Sequence, residues 1–187
     1  MNESDFDTFE DAVTKRRAEL PVAPYLFLVL ECDRPTAGGA RYALADVDEV
    51  VIGRSSSRKA TLQVDGGAKR LSVRVPGRSM SSTHAKLTRT SEGYRLEDLR
   101  STNGSFVNAK RVQAAPVKDG DVIEVGHTLF VLREALATPA ATAPIWESEG
   151  EVSGDENVGT LLPKLAADQA ELAKFARSHL PILLLGQ

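Results

Sequence analysis

The sequence predicts an all-β sandwich, and three observations point to it. Between Tyr25 and Arg133, short runs of strand-forming residues recur, separated by Gly, Asp, Asn and Pro. Many of these runs alternate, as Tyr94 and Leu96 do against Arg95 and Glu97, which turns one set inward and the other to water. The turn signals fall at the spacing of a sandwich or barrel rather than of a βαβ fold.

Taken in order, residues 1–24 form a polar lead, partly helical over 1–20 and without a convincing apolar face. Strands are expected near 25–31, 41–44, 49–53, 61–64, 71–75, 84–89, 93–97, 105–107, 121–125 and 128–133. Asp65-Gly66-Gly67, Glu92-Gly93 and Asp119-Gly120-Asp121 supply turn residues that tolerate positive φ. Residues 136–159 are rich in Ala, Pro, Gly, Ser, Thr and acids and read as a linker, because this composition buries too little surface to offset chain entropy. Ile145 and Trp146 are apolar exceptions there; either they dock on a neighbouring surface or they are a stray exposed pair. Residues 160–179 recover helical spacing, with Leu161, Leu165, Leu172 and Ala176 on one face and Phe175 beside them. Thr160 is placed to cap this helix, and Pro163 is tolerated in its first turn. After Pro181, Ile182–Leu185 reads as a strand buried on both faces. With no later strand to pair with, it suggests a piece of a longer chain.

Composition narrows the function classes. Of 187 residues, 42% are hydrophobic and 26% charged, as in ordinary globular chains, which argues against wholesale disorder. The longest apolar runs fall far short of a bilayer span, and the acidic N-terminus is unlike a secretory signal. One cysteine, Cys32, and three histidines leave no disulfide framework and argue against a Cys- or His-rich metal site; no cofactor is expected. The expected compartment is the reducing cytoplasm. The net charge of −3 hides an asymmetry: residues 53–89 carry nine Lys/Arg against one acid, Asp65. Such a block reads either as a solvated surface or as the footprint of an anionic partner.

Three segments carry candidate chemistry: Val51-Ile52-Gly53-Arg54, Ser81-Ser82-Thr83-His84-Ala85, and Asp98 to Asn108 with Ser101-Thr102-Asn103-Gly104-Ser105-Phe106-Val107 between. Each falls at a strand end or in a loop. Together they offer a guanidinium, several hydroxyls and an Asn amide, which match a phosphate monoester on an extended peptide.

The order Gly-Arg, Ser-x-x-His, Ser-Thr-Asn-Gly-x-Phe-x-Asn and Asp-Gly-Asp-x-Ile-x-x-Gly resembles a forkhead-associated (FHA) domain over about residues 25–135. The resemblance implies a sandwich of about eleven strands in two twisted sheets that binds phosphothreonine peptides through loops at one end. By position, Arg54 would bond the phosphate, Ser81 would donate to it with Ser82 beside, Thr102 would line the wall near the phosphothreonine methyl, and Asn103 would hold the peptide backbone. Gly53, His84, Gly104 and Asn108 would support the site. Ser82 and Thr83 depart from the basic or amide residues common in the family, Ala109 stands where Gly is common, and the stretch from Arg54 to Ser81 is long. Arg78 and Lys86 suggest acidic residues flanking the phosphothreonine.

Val158–Gln187 resembles the opening of the AAA+ module of bacterial sigma-54-dependent activators, without any G-x-x-x-x-G-K-[ST] loop. The alternative is a helix and strand that pack back on the sandwich. The reading is therefore a non-enzymatic phosphothreonine reader in a Ser/Thr-kinase pathway, regulating sigma-54-dependent transcription. Thr8, within Asp5–Asp11, is a candidate self-ligand. Two competing readings are a nucleic-acid-binding basic β-domain, against which the basic block lacks aromatics for base stacking, and a phospho-independent interaction scaffold. A hydrolytic triad from Ser81, His84 and Asp98 or Asp121 lacks any nucleophile-elbow sequence.

Overall fold

The structure, a computed structural model, describes residues 20–148 and 160–176, with the side chains of 175 and 176 left aside. The strands are β1 (Val22–Glu31), β2 (Ala40–Ala43), β3 (Glu49–Arg54), β4 (Lys59–Asp65), β5 (Ala68–Val75), β6 (Ala85–Thr90), β7 (Gly93–Asp98), β8 (Ser105–Val107), β9 (Lys110–Val112), β10 (Ala114–Val117), β11 (Val122–Val125), β12 (Thr128–Ala137) and β13 (Ile145–Glu147). One helix follows, α1 (Pro163–Ala176). Of the expected lead over 1–24, residues 1–19 with Thr8 lie outside the described residues, as do the linker over 149–159 and the strand Ile182–Leu185; Val22 to Pro24 are no lead but the opening of β1, paired with the end of β12.

Two sheets form the sandwich. One runs β13-β2-β1-β12-β11-β8-β9, and the other runs β10-β7-β6-β3-β5-β4. All pairs are antiparallel except β3–β5, which is parallel. The alternation seen in the sequence becomes burial: Tyr94 and Leu96 face the core while Arg95 and Glu97 face water. The inner faces meet in one cluster that includes Leu26, Leu28, Tyr42, Ile52, Leu87 and Phe130. Burying large apolar side chains contributes about 1.5–3 kcal/mol each, which is what holds the sheets face to face.

Each of the ten expected ranges holds a strand. The sandwich has three more: β9, β10 and β13. The first two are short and read Lys-Arg-Val and Ala-Ala-Pro-Val, with no alternation to reveal them. The third corrects the linker reading of 136–159. Residues 136–137 finish β12, and Ile145–Glu147 pairs with β2. Trp146 lies against the buried Arg41 guanidinium, 5.3 Å from ring centroid to Cζ, and the Tyr42 hydroxyl donates to Glu147 Oε1 at 2.8 Å. Ile145 and Trp146 are thus docked, because β2 leaves an edge whose backbone groups need partners.

The helix differs from expectation at both its start and its face. Leu162, not Thr160, precedes the first helical residue, and Ala166 N–H donates to the Leu162 carbonyl. Thr160 Oγ1 instead accepts from Leu162 N–H at 3.2 Å, closing the turn before the helix. Leu165 and Leu172 remain 44% and 46% exposed, so the expected apolar face is not buried among the described residues. The segment is tied down at its start, where Arg41 donates to the Thr160 and Leu161 carbonyls.

An ion cluster locks the loop after β3. Glu31, 2% exposed, accepts from Arg34 and from Arg58, and Arg58 also donates to the Gly38 and Gly39 carbonyls. A buried carboxylate with two guanidiniums and further carbonyl acceptors satisfies the hydrogen-bonding demand that burial imposes.

The β8–β9 hairpin turns on Asn108 and Ala109, both at positive φ, 49° and 63°. Asn suits this region; Ala does not, and left-handed backbone costs a residue with a Cβ about 1–2 kcal/mol. Ala109→Gly is therefore expected to stabilise the domain by about 0.5–1 kcal/mol, after the larger unfolded-state entropy of Gly is subtracted. Denaturant unfolding of the two chains measures this; an unchanged or lower midpoint would show that the turn carries no strain.

Candidate functional site

The three segments of interest meet at one end of the sandwich, and backbone ladders bring them there. Arg54, the last residue of β3, donates its N–H to the Ser81 carbonyl at 2.9 Å, and His84 N–H donates to the Ile52 carbonyl. Leu99 N–H donates to the His84 carbonyl, which joins the loop after β7 to the loop before β6.

His84 is fully buried beneath these loops. Ser81 N–H donates to His84 Nδ1 at 3.1 Å, so the ring hydrogen sits on Nε2 and reaches the Gly104 carbonyl at 3.0 Å. One imidazole thereby fastens Ser81 to Gly104. Directly above, Thr102 N–H donates to Ser81 Oγ at 3.1 Å, leaving the Ser81 hydroxyl hydrogen free to donate outward. Asn103 Nδ2 donates to the Ser79 carbonyl at 2.9 Å, which spans the same two loops and leaves its Oδ1 and second N–H open.

Asp98 closes the second loop from below. It is 6% exposed and accepts from Ser101 N–H, Ser101 Oγ and Ser105 Oγ, at 2.9, 2.6 and 2.7 Å. Ser101 Oγ in turn accepts from Gly104 N–H. Burial acts to raise the Asp98 carboxyl, but the bonds from the Ser101 and Ser105 hydroxyls and the Ser101 amide outweigh it and hold the group below the usual carboxylate range.

Two glycines make the close approaches possible. A Cβ on Gly53 would stand 2.2 Å from the Ser82 carbonyl oxygen, the atom to which Arg74 Nη1 donates. Gly104 sits at φ 82° beneath the Arg111 guanidinium, where a side chain would meet both strain and a clash.

The exposed groups at this end are Arg54, Ser82, Thr102 and Asn103, with Ser81 half-buried between them. The Arg54 side chain makes no hydrogen bond or ion pair among the described residues. Asn108 lies apart, bonded through its side chain to Asp121 Oδ1 and Val122 N–H, so it ties the β8–β9 turn to β11. Residues that the sequence reading did not assign to the site are Ser79, Asp98, Ser101, Ser105 and Arg111. The Asp98-x-x-Ser101 spacing was the available signal for that pair, since such residues close loops on their own backbone.

The basic block looks different in three dimensions. Arg58, Lys69, Arg70 and Lys86 each pair with an acid from elsewhere in the fold: Glu31, Asp46, Glu49 and Glu97. Arg74 and Arg89 donate to the carbonyls of Ser82 and Ala45. Among the described residues this leaves Arg54, Lys59 and Arg78 uncommitted.

The fold is thus a two-sheet sandwich that presents these polar groups on loops at one end. Residues 50–126 match the family model of the FHA domain. Over 37% of its length the chain is 42% identical to the ABC transporter ATP-binding/permease protein Rv1747 of Mycobacterium tuberculosis, covering 8% of that protein. It is 32% identical to the FHA domain-containing protein FhaA of the same species, over 42% of this chain and 18% of FhaA. Among solved structures, one from a study of phosphothreonine-dependent FHA domain interactions shares 28% identity over 58% of this chain and 95% of its own, with a TM-score of 0.40. The chain spans less than a third of the length of the curated relatives it matches.

The buried network makes two predictions. His84→Ala strands the Ser81 amide and the Gly104 carbonyl, and is expected to cost at least about 2 kcal/mol of stability in urea unfolding. Because the Asp98 carboxyl is held low in the folded state, its contribution is present above the ordinary carboxylate value near 3.9 and is lost as pH falls through the lower folded value. Stability should therefore drop below about pH 4, and Asp98→Asn should flatten that acid limb. A parallel acid limb in both chains would remove Asp98 as its source.

Proposed function

We propose that this domain binds phosphothreonine-containing peptides through Arg54, Ser81, Ser82, Thr102 and Asn103. One observation carries the reading: an uncommitted guanidinium, an outward-donating hydroxyl and a half-open amide converge on loops fastened from below by His84. Arg54 meets the phosphate with a permanent charge and a planar fork of donors, and the Ser81 hydroxyl adds a short bond to a phosphate oxygen. Ser82 stands beside it. Thr102 lines the wall against the phosphothreonine methyl, and Asn103 holds the peptide backbone. Gly53, His84, Gly104 and Asn108 act by holding the loops in place. The match of residues 50–126 to the FHA domain family model supports this. The module recognises its partner and performs no chemistry on it.

The partner is a protein phosphorylated by a Ser/Thr kinase, and the setting is the cytoplasm. Among the described residues no helix is long and apolar enough to cross a membrane. A role in transcription finds support in the 26% identity to the transcriptional regulatory protein EmbR of Mycobacterium tuberculosis. Its narrower form, control of a sigma-54-dependent activator, rests on the sequence of Val158–Gln187 alone. Direct nucleic-acid binding is disfavoured because four of the nine basic residues of the block pair with acids of the fold and two more donate to backbone carbonyls.

Calorimetry of the full chain against a degenerate phosphothreonine peptide library and its unphosphorylated twin tests the reading. Binding should require the phosphate. Arg54→Ala should weaken it at least about tenfold, the equivalent of one charge-assisted bond. A phosphoserine library should bind less tightly by about 1–3 kcal/mol, because it leaves the Thr102 wall unfilled. Equal binding with and without phosphate would point to the scaffold reading instead.

A further inference from the structure

A sandwich of two open sheets has four edges, and three of them here are blunted. β13 and β9 are three residues long, and β9 carries Lys110 and Arg111. β10 has four residues, with Pro116 among them. Short length, charge and proline all discourage the addition of another strand. The fourth edge, β4, is different. It is seven residues long, pairs with β5 in unbroken register from Lys59 to Asp65, and has no proline. Among the described residues no strand lies beyond it. Alternate N–H and C=O groups of such a strand point outward without a ladder partner.

Its side chains are also unfinished. Ala60, Leu62 and Val64 face the inner side of the sheet, in register with Val73, Leu71 and Lys69. Leu62 is 46% and Val64 64% exposed. On the outer side, Lys59 lies directly opposite Arg74 across the β4–β5 pair, a like-charge opposition that costs stability. Neither Lys59 nor Asp65 forms an ion pair among the described residues.

The residue order Lys-Ala-Thr-Leu-Gln-Val-Asp is self-complementary when run against itself. We infer that β4 pairs antiparallel with β4 of a second copy of this chain, about a two-fold axis at Leu62, to make a homodimer with one continuous sheet. In that register Lys59 faces the second copy's Asp65, Ala60 its Val64, Thr61 its Gln63, and Leu62 its Leu62. Charge meets opposite charge, apolar meets apolar and polar meets polar, each pair on the same side of the sheet. The Lys59 ammonium gains a carboxylate that offsets its Arg74 neighbour. The surface is isologous, so the contact closes at two copies rather than propagating into a fibre. The antiparallel pairing directs the two loop ends away from each other, so each peptide site stays open. This inference does not depend on what those loops bind.

Sedimentation equilibrium of the full chain tests it. The wild-type chain should sediment as a monomer–dimer equilibrium. Lys59→Asp and Asp65→Lys each replace two attractions with two repulsions, and each should raise the dimer dissociation constant at least about tenfold. The double swap, with both substitutions in one chain, restores opposite charges and should recover the wild-type constant. Both substituted positions are exposed, and circular dichroism checks that the sheet is intact in all three variants. A wild-type chain that stays monomeric at the highest accessible concentration overturns the proposal. So does a dimer that ignores the single swaps, or one that the double swap fails to restore.

Discussion

The loop end of this sandwich depends on a single buried imidazole. His84 cannot be replaced by an apolar residue of similar size, because it satisfies a donor on one loop and an acceptor on another at the same time. The Gly104 carbonyl is buried and the Ser81 amide partly so, and an amide or carbonyl left unpaired there is costly. The ring therefore sets the spacing between Ser81 and Gly104. Everything exposed above inherits that spacing, including the Thr102 amide on Ser81 Oγ and the Asn103 bridge to Ser79. Asp98 performs the same task one step further down, gathering Ser101 and Ser105 so that the loop closes on itself. Preorganised loops of this sort lower the ordering cost of binding.

Charge is spent inside the fold more than a count of residues suggests. Glu31 draws Arg34 and Arg58 into a cluster that fastens the loop after β3 to the β1–β2 connection. Arg41 lies buried beside Trp146 and donates to the carbonyls that open the helical segment. The Tyr42 phenol, buried and facing Glu147, is held protonated well above its usual range, so it remains a donor to that carboxylate. These contacts turn a stretch of low-complexity composition into part of the sheet. Arg54, at the loop end, takes no part in such contacts among the described residues.

Much of this molecule was legible in the sequence. Ten strands announced themselves, because alternation and turn residues are local signals and burial on one face enforces them. The ordered motifs around Arg54, Ser81 and Asn103 read as strand ends and loops, and the structure gathers those loops at one end of the sandwich. What stayed hidden depended on distant partners. Ile145 and Trp146 become a strand only because β2, a hundred residues earlier, offers an unpaired edge. Thr160 yields the cap position because Arg41 holds its carbonyl. Leu165 and Leu172 share a helical face, yet nothing among the described residues covers it, since periodicity states that a face exists and not what meets it. The basic block lost most of its apparent meaning once acids from β3, β7 and the β1–β2 region folded against it. Pattern along the chain determined the architecture and the chemical vocabulary of the site. Only the tertiary structure decided which of those groups are occupied with one another and which remain free, because a hydrogen bond or ion pair is satisfied through space and leaves no periodic trace in the chain.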